Sequence, residues 1–162
     1  MASSFRAGRG CFVGLLVPIL FACNEPSRFE VEMRSDQPLS LGAAAKARIS
    51  LWAYDSTIAD QADTLLAVAN TSVNALPSAV SMSVPDDAEG RVTPNSGAST
   101  RLCYYVSVVI DVDGDGQICP GDLRVDYDRA SFRQTCTIDE MEKVFFMKLL
   151  AAGEACRPVA FH

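Results

Sequence analysis

The densest chemistry in the chain lies between Asp111 and Asp122, in the run Asp111-Val112-Asp113-Gly114-Asp115-Gly116-Gln117-Ile118-Cys119-Pro120-Gly121-Asp122. Carboxylates at alternate positions of a tightly coiled loop converge on one centre, and their hard oxygens are the donors a hard divalent cation takes. Gly116 permits the sharp turn such a loop needs. The carbonyl of Gln117 adds a neutral oxygen, and Asp122 closes the far side. The candidate metal set is therefore Asp111, Asp113, Asp115, Gln117 and Asp122, with calcium the expected ion in a structural role. Magnesium is disfavoured, because it keeps more of its waters than this many protein oxygens would leave. The alternative is a polar hairpin loop whose Asp and Gly residues serve Asx-turns.

The spacing resembles the calcium loop of the EF-hand family, with acids at loop positions 1, 3 and 5, glycine at 6, a β-branched residue at 8 and an acid at 12. The resemblance covers the loop alone. Strands, not helices, are expected on both sides, and Asp122 is shorter than the glutamate usual at that position.

The second chemical feature is Cys23. Residues 1–22 open with Arg6, Arg9 and no acid, followed by the uncharged run CFVGLLVPILFA at 11–22. That is the layout of a secretory signal. The run is shorter than the roughly 20 residues of a spanning helix and contains Gly14 and Pro18, poor residues for a buried one. Leu20-Phe21-Ala22-Cys23 resembles the bacterial lipobox, in which a small residue precedes a cysteine that is lipidated and becomes the mature N-terminus. The resemblance implies lipidation of Cys23, and Asn24 behind it leans toward the outer membrane. Ordinary cleavage nearby would instead leave Cys23 a free thiol, a liability in an oxidising compartment.

Residues 1–22 hold two of the fourteen basic residues and none of the twenty acids, so the remaining 140 carry a net charge of −8. An acidic domain has no electrostatic case for nucleic acid or for a direct grip on anionic headgroups. The expected membrane link is the lipid. Cys103, Cys119, Cys136 and Cys156 remain beyond the signal and Cys23, an even count that implies two disulfides with three possible pairings. No CxxC pair exists, which removes zinc-ribbon and thioredoxin-like readings. The single histidine, His162, is the last residue, and GxSxG, HExxH and P-loop motifs are absent. No enzyme activity is expected.

The elements that must position these groups show period-2 alternation. After a short tether at 23–28, a domain over 29–162 reads as strands at Phe29–Met33, Ile49–Ala53, Val80–Val84 and Leu123–Tyr127. Runs apolar on both faces, Leu65–Ala69, Leu102–Ile110 and Val144–Leu150, are expected to be central. Ile138–Lys143 alone looks briefly helical. Asp126 and Asp128 share a polar face with Arg124 and read as a solvated surface. Trp52 and Tyr54 lie opposite Ile49 and Leu51, and are expected on an inner face of the fold, with an exposed ligand-binding strip as the alternative. Seven strands at regular spacing predict an all-β domain, a seven-stranded antiparallel sandwich of two sheets. If the strands flanking the acidic loop form a hairpin, Cys103 sits far from the loop and meets Cys136, while Cys156 returns to meet Cys119.

The lipobox, the short tether and an acidic sandwich with ARISLWAYD, DTLLAVANTSV, PSAVSMSV and YYVSVVID between Ala47 and Asp111 resemble the YbaY/YscW-type outer-membrane lipoprotein family. That resemblance implies a lipid-anchored interaction or chaperone module, some members piloting secretion-channel subunits to the outer membrane. No site residues carry over. A transthyretin-like or immunoglobulin-like sandwich accounts for the same strand pattern. The partners expected are the membrane, through the lipid, and an envelope protein. The alternative function is a surface-displayed, calcium-dependent ligand-binding module, for example for carbohydrate. Cys23→Ala is expected to abolish acylation and correct processing of the precursor, as read by mass spectrometry and detergent partitioning. A mature chain beginning elsewhere, or remaining in the aqueous phase, would refute the anchor.

Overall fold

The computed structural model describes residues 27–57, 62–92, 101–129, 134–141 and 143–160. Cys23, the signal expected over residues 1–22 and His162 lie outside the described residues. The elements run β1 (Arg28–Arg34), β2 (Leu39–Ser40), β3 (Lys46–Asp55), β4 (Thr64–Ser72), β5 (Ala75–Leu76), β6 (Ser78–Ser83), helical turn α1 (Ala88–Arg91), β7 (Leu102–Asp111), β8 (Gln117–Ile118) and β9 (Leu123–Val125). A 3-10 turn at Ile138–Glu140, β10 (Val144–Leu149) and β11 (Arg157–Pro158) complete the order.

The seven strands expected from alternation are the seven strands of one sheet, ordered β4-β3-β7-β9-β10-β1-β6. The sheet is not two layers and not purely antiparallel. It curls until β6 approaches β4, close to a barrel, and β1 runs parallel to β10, Met33 opposite Phe145. Alternation assigns faces, but it carries no record of which strand lies beside which, so the pairing of the first long strand with the last was not legible. The two-stranded pairs β8–β11 and β2–β5 lie outside this sheet.

One face of the sheet is a single apolar core. Val31 and Met33 of β1, Ile49 and Leu51 of β3, Val106, Val108 and Ile110 of β7, and Phe145 of β10 are buried there together. Each fully enclosed Leu, Ile or Met contributes about 1.5–3 kcal/mol of burial free energy. The strand with both faces apolar in sequence is central where β7 is concerned, between β3 and β9, and β10 is likewise interior. Leu65–Ala69 is the exception: β4 is an edge strand, and Leu65 and Val68 on its outer side are 38% and 37% exposed. An edge strand lacks the second neighbour that would cover them.

Two disulfides staple the fold, Cys103–Cys136 and Cys119–Cys156, the pairs that the hairpin layout predicts. The first joins the start of β7 to the segment after β9, where Tyr104 and Thr135 exchange backbone hydrogen bonds of 2.6 and 3.1 Å. The second joins the acidic loop to the C-terminal tail. Among the described residues no helix is long and apolar enough to cross a membrane.

Candidate functional site: the acidic hairpin loop and the outer-face cleft

β7 ends at Asp111, whose side chain is fully buried at the mouth of the loop. Its two oxygens accept the N–H groups of Gly114 (2.7 Å) and Gly116 (2.8 Å), so one carboxylate folds the first half of the loop around itself. Asp113 accepts the N–H of Asp115 at 3.2 Å, and Asp115 that of Gln117 at 2.7 Å, an Asx-turn pattern repeated twice. Asp122, also buried, accepts Val112 N–H at 2.8 Å and Cys119 N–H at 2.6 Å. That carboxylate clamps the two ends of the loop.

One oxygen each from Asp111, Asp113 and Asp115 lies within 4.8 Å of the others. Ligands around a calcium ion at 2.3–2.6 Å are at most about 5 Å apart, so this trio fits one coordination sphere. Asp122 is not in the trio; its oxygens accept the amides of Val112 and Cys119 at the two ends of the loop. Gln117 belongs to β8 and pairs with Pro158 of the tail. The Asp115 amide stabilises ionised Asp113, but local desolvation, the charges of Asp115 and Asp122 and the Asp111 carboxyl outweigh it. Together they push Asp113 above the usual carboxylate range. A divalent cation would relieve that repulsion.

The opposite face of the sheet carries a different feature. Trp52 and Tyr105 are cross-strand neighbours on β3 and β7, stacked with ring centroids 6.2 Å apart and planes 10° from parallel. Trp52 Nε1 donates to Ser107 Oγ at 2.9 Å. Tyr105 donates to Asp63 at 2.6 Å; burial first, and then this carboxylate, raise its ionisation well above the usual phenol range. Tyr54 donates to Gln134 at 2.7 Å. Trp52 and Tyr54 are thus half-exposed on the outer face, not on an inner one. The expectation failed because no second sheet covers that side.

What does cover part of it is the C-terminal tail. β11 pairs with β8, Val159 N–H donates to the carbonyl of Gly116 at 2.9 Å, and the Arg48 guanidinium donates to the carbonyl of Ala160. Between tail and sheet lie two hollows of about 340 Å³ and 290 Å³ that share Ser107, Val109, Pro158 and Val159. Together they make a two-part trough, Trp52 lining one part and Tyr127 the other.

No protein-family profile matches the chain, and no characterised protein matches it in sequence. Its fold is similar to a solved structure, an alternative pilotin from the type II secretion system of Vibrio cholerae. The TM-score is 0.52 and the identity 16%, covering 79% of this chain and 100% of that one. The likeness at this identity is one of fold.

Asp126 and Asp128, read from sequence as a solvated face, are both held by Lys148 Nζ, at 2.6 and 2.8 Å. The Lys148 hydrogen bond holds Asp126 below the usual carboxylate range, and Asp126 in turn raises Lys148. Arg48, Ser107, Val109 and the tail carried no motif, since only the fold brings them together. Gly114 was also missed as a packing residue. Its φ is +76°, and a Cβ there would sit 2.7 Å from the carbonyl oxygen of Ala44. At Gly116, φ is +84° with nothing within 4 Å. Gly114→Ala is therefore expected to lose about 1–3 kcal/mol in denaturant unfolding, and more than Gly116→Ala. Equal losses would show that the approach to Ala44 does not constrain the loop.

Proposed function

We propose that this chain is a lipid-anchored module of the cell envelope that holds a protein partner in a pilot-like manner at the outer membrane. The observation that carries this reading is the fold likeness to a secretion-system pilotin, which extends over the whole of that chain. The signal layout and the Ala22-Cys23 junction support the anchor. Two disulfides suit a compartment outside the cytosol. Catalysis is not part of this reading.

The experiment is to delete the chain in its host and fractionate the membranes. Secretion-channel subunits should leave the outer-membrane fraction, and site-specific cross-linking should join one of them to the full chain. Unchanged fractionation together with no cross-linked envelope protein would overturn the reading.

The acidic loop is proposed to hold one calcium ion through Asp111, Asp113 and Asp115, with Asp122 as the clamp that shapes the loop. The spacing of the three carboxylates and their crowding support this. The ion's contribution is structural: it would tie β7 to β8 and so to the tail. Calorimetry on the full chain should show one site in the weak range of extracellular modules, around 10⁻⁴–10⁻³ M, lost in Asp113→Ala/Asp115→Ala. Heat unchanged by the double variant would place the ion elsewhere, and no heat at all would leave the loop a plain turn.

A second reading, a carbohydrate-binding module, is favoured by one observation, the Trp52–Tyr105 pair on the outer face. Parallel aromatic rings are a platform for the apolar faces of sugars and for any flat or apolar group.

A further inference from the structure

The residues lining the trough beneath the tail are net positive, against the negative balance of the whole chain. The whole chain is at −6, yet three of the four charged residues lining the trough are arginines: Arg48, Arg124 and Arg157, with Glu154 the fourth. Glu154 is already matched by Arg124 at 2.8 Å. Arg48 is engaged with a neutral carbonyl, and Arg157 is exposed and forms no ion pair with any described residue. Neither of these two guanidinium groups has an ion-pair partner among the described residues. A further donor, Arg124 Nε, is buried with no acceptor among the described residues. Between these cations the surface is apolar, with Val109 on the floor, Pro158 and Val159 in the wall, and Trp52 at the end.

We propose that this trough docks an extended segment of the partner protein in which carboxylate side chains alternate with apolar ones. This deepens the partner-holding reading and rests on it. An extended segment has side chains of period two. One row would lie on the apolar floor while the other meets the guanidinium groups, which pair well with carboxylates. The complementarity is local, since the acidic exterior repels such a segment elsewhere and so orients it.

Trp52 is the only tryptophan of the chain, so its emission reports on the trough. The test titrates the full chain in detergent with a synthetic peptide, Leu-Glu-Val-Glu-Leu-Glu-Val-Glu, and with its counterpart carrying lysine for glutamate. The acidic peptide should shift the emission saturably and the lysine peptide should not. Arg157→Glu, at an exposed side chain without an ion pair, should weaken the acidic peptide at least tenfold while leaving the thermal midpoint unchanged. Equal binding of both peptides, unchanged affinity in Arg157→Glu, or a response to an oligosaccharide alone would overturn the proposal. Cross-linking separates it from the reading beneath it. A chain that takes the acidic peptide but joins no envelope protein leaves the docking chemistry standing and removes the partner-holding role. A chain that holds its envelope partner equally well with Arg157→Glu and ignores the peptide removes the docking chemistry alone.

Discussion

Ten residues of β3 lie against ten of β7, from Lys46 opposite Asp111 to Asp55 opposite Leu102. The other features of the molecule hang on this ladder. Its inner face supplies Ile49, Leu51, Val106, Val108 and Ile110 to the core. Its outer face supplies Trp52, Ser107 and Val109 to the trough. One end launches the acidic loop, and the other carries the first disulfide at Cys103. Because side chains alternate strictly across a strand, a register slip of one residue would put the tryptophan into the core and the valines into water. The core therefore positions the outer-face residues through the register of the strands that both share.

The acidic loop joins this ladder to the tail. Asp111 and Asp122 between them accept four backbone N–H groups of the loop, each bond worth about 1.5–3 kcal/mol when it is made to a charged group. From the loop, the β8–β11 pairing, the Val159 hydrogen bond and the Cys119–Cys156 disulfide reach the tail. The disulfide is the firmest single tie, about 2–4 kcal/mol by restriction of the unfolded chain. The short strands alone could not hold a two-residue ribbon over a sheet face. The wall of the trough is thus as rigid as the loop that carries it, and anything that orders the loop orders the wall.

The surface ion pairs count for less. Arg124–Glu154 and Lys148–Asp126 have arginine and lysine side chains that are 37% and 34% exposed, and pairs of that kind contribute about 0–1 kcal/mol. Their role is in arrangement. Arg124 is turned toward the tail by Glu154, and Lys148 bridges Asp126 and Asp128, offsetting one of their two charges.

Several features follow from the sequence alone: the all-β class, the positions of all seven strands, the inward residues on most of them, the acidic loop, and the disulfide pairs expected once the hairpin was placed. These are local or nearly local. Alternation is a property of consecutive residues, and the loop is twelve residues with its own spacing rule. The tertiary structure decided what depends on neighbours far apart in the chain. β1 was placed parallel beside β10, and β4 was left at an edge despite its apolar run. Because the sheet curled on itself, Trp52 faced outward, where the C-terminal tail covers that side only in part. Asp122 closes the loop on two amides and lies outside the trio of converging carboxylates. The trough was illegible beforehand. Arg48, Ser107 and Arg157 belong to three separate stretches, and only the folded path of the tail across the sheet makes them one surface.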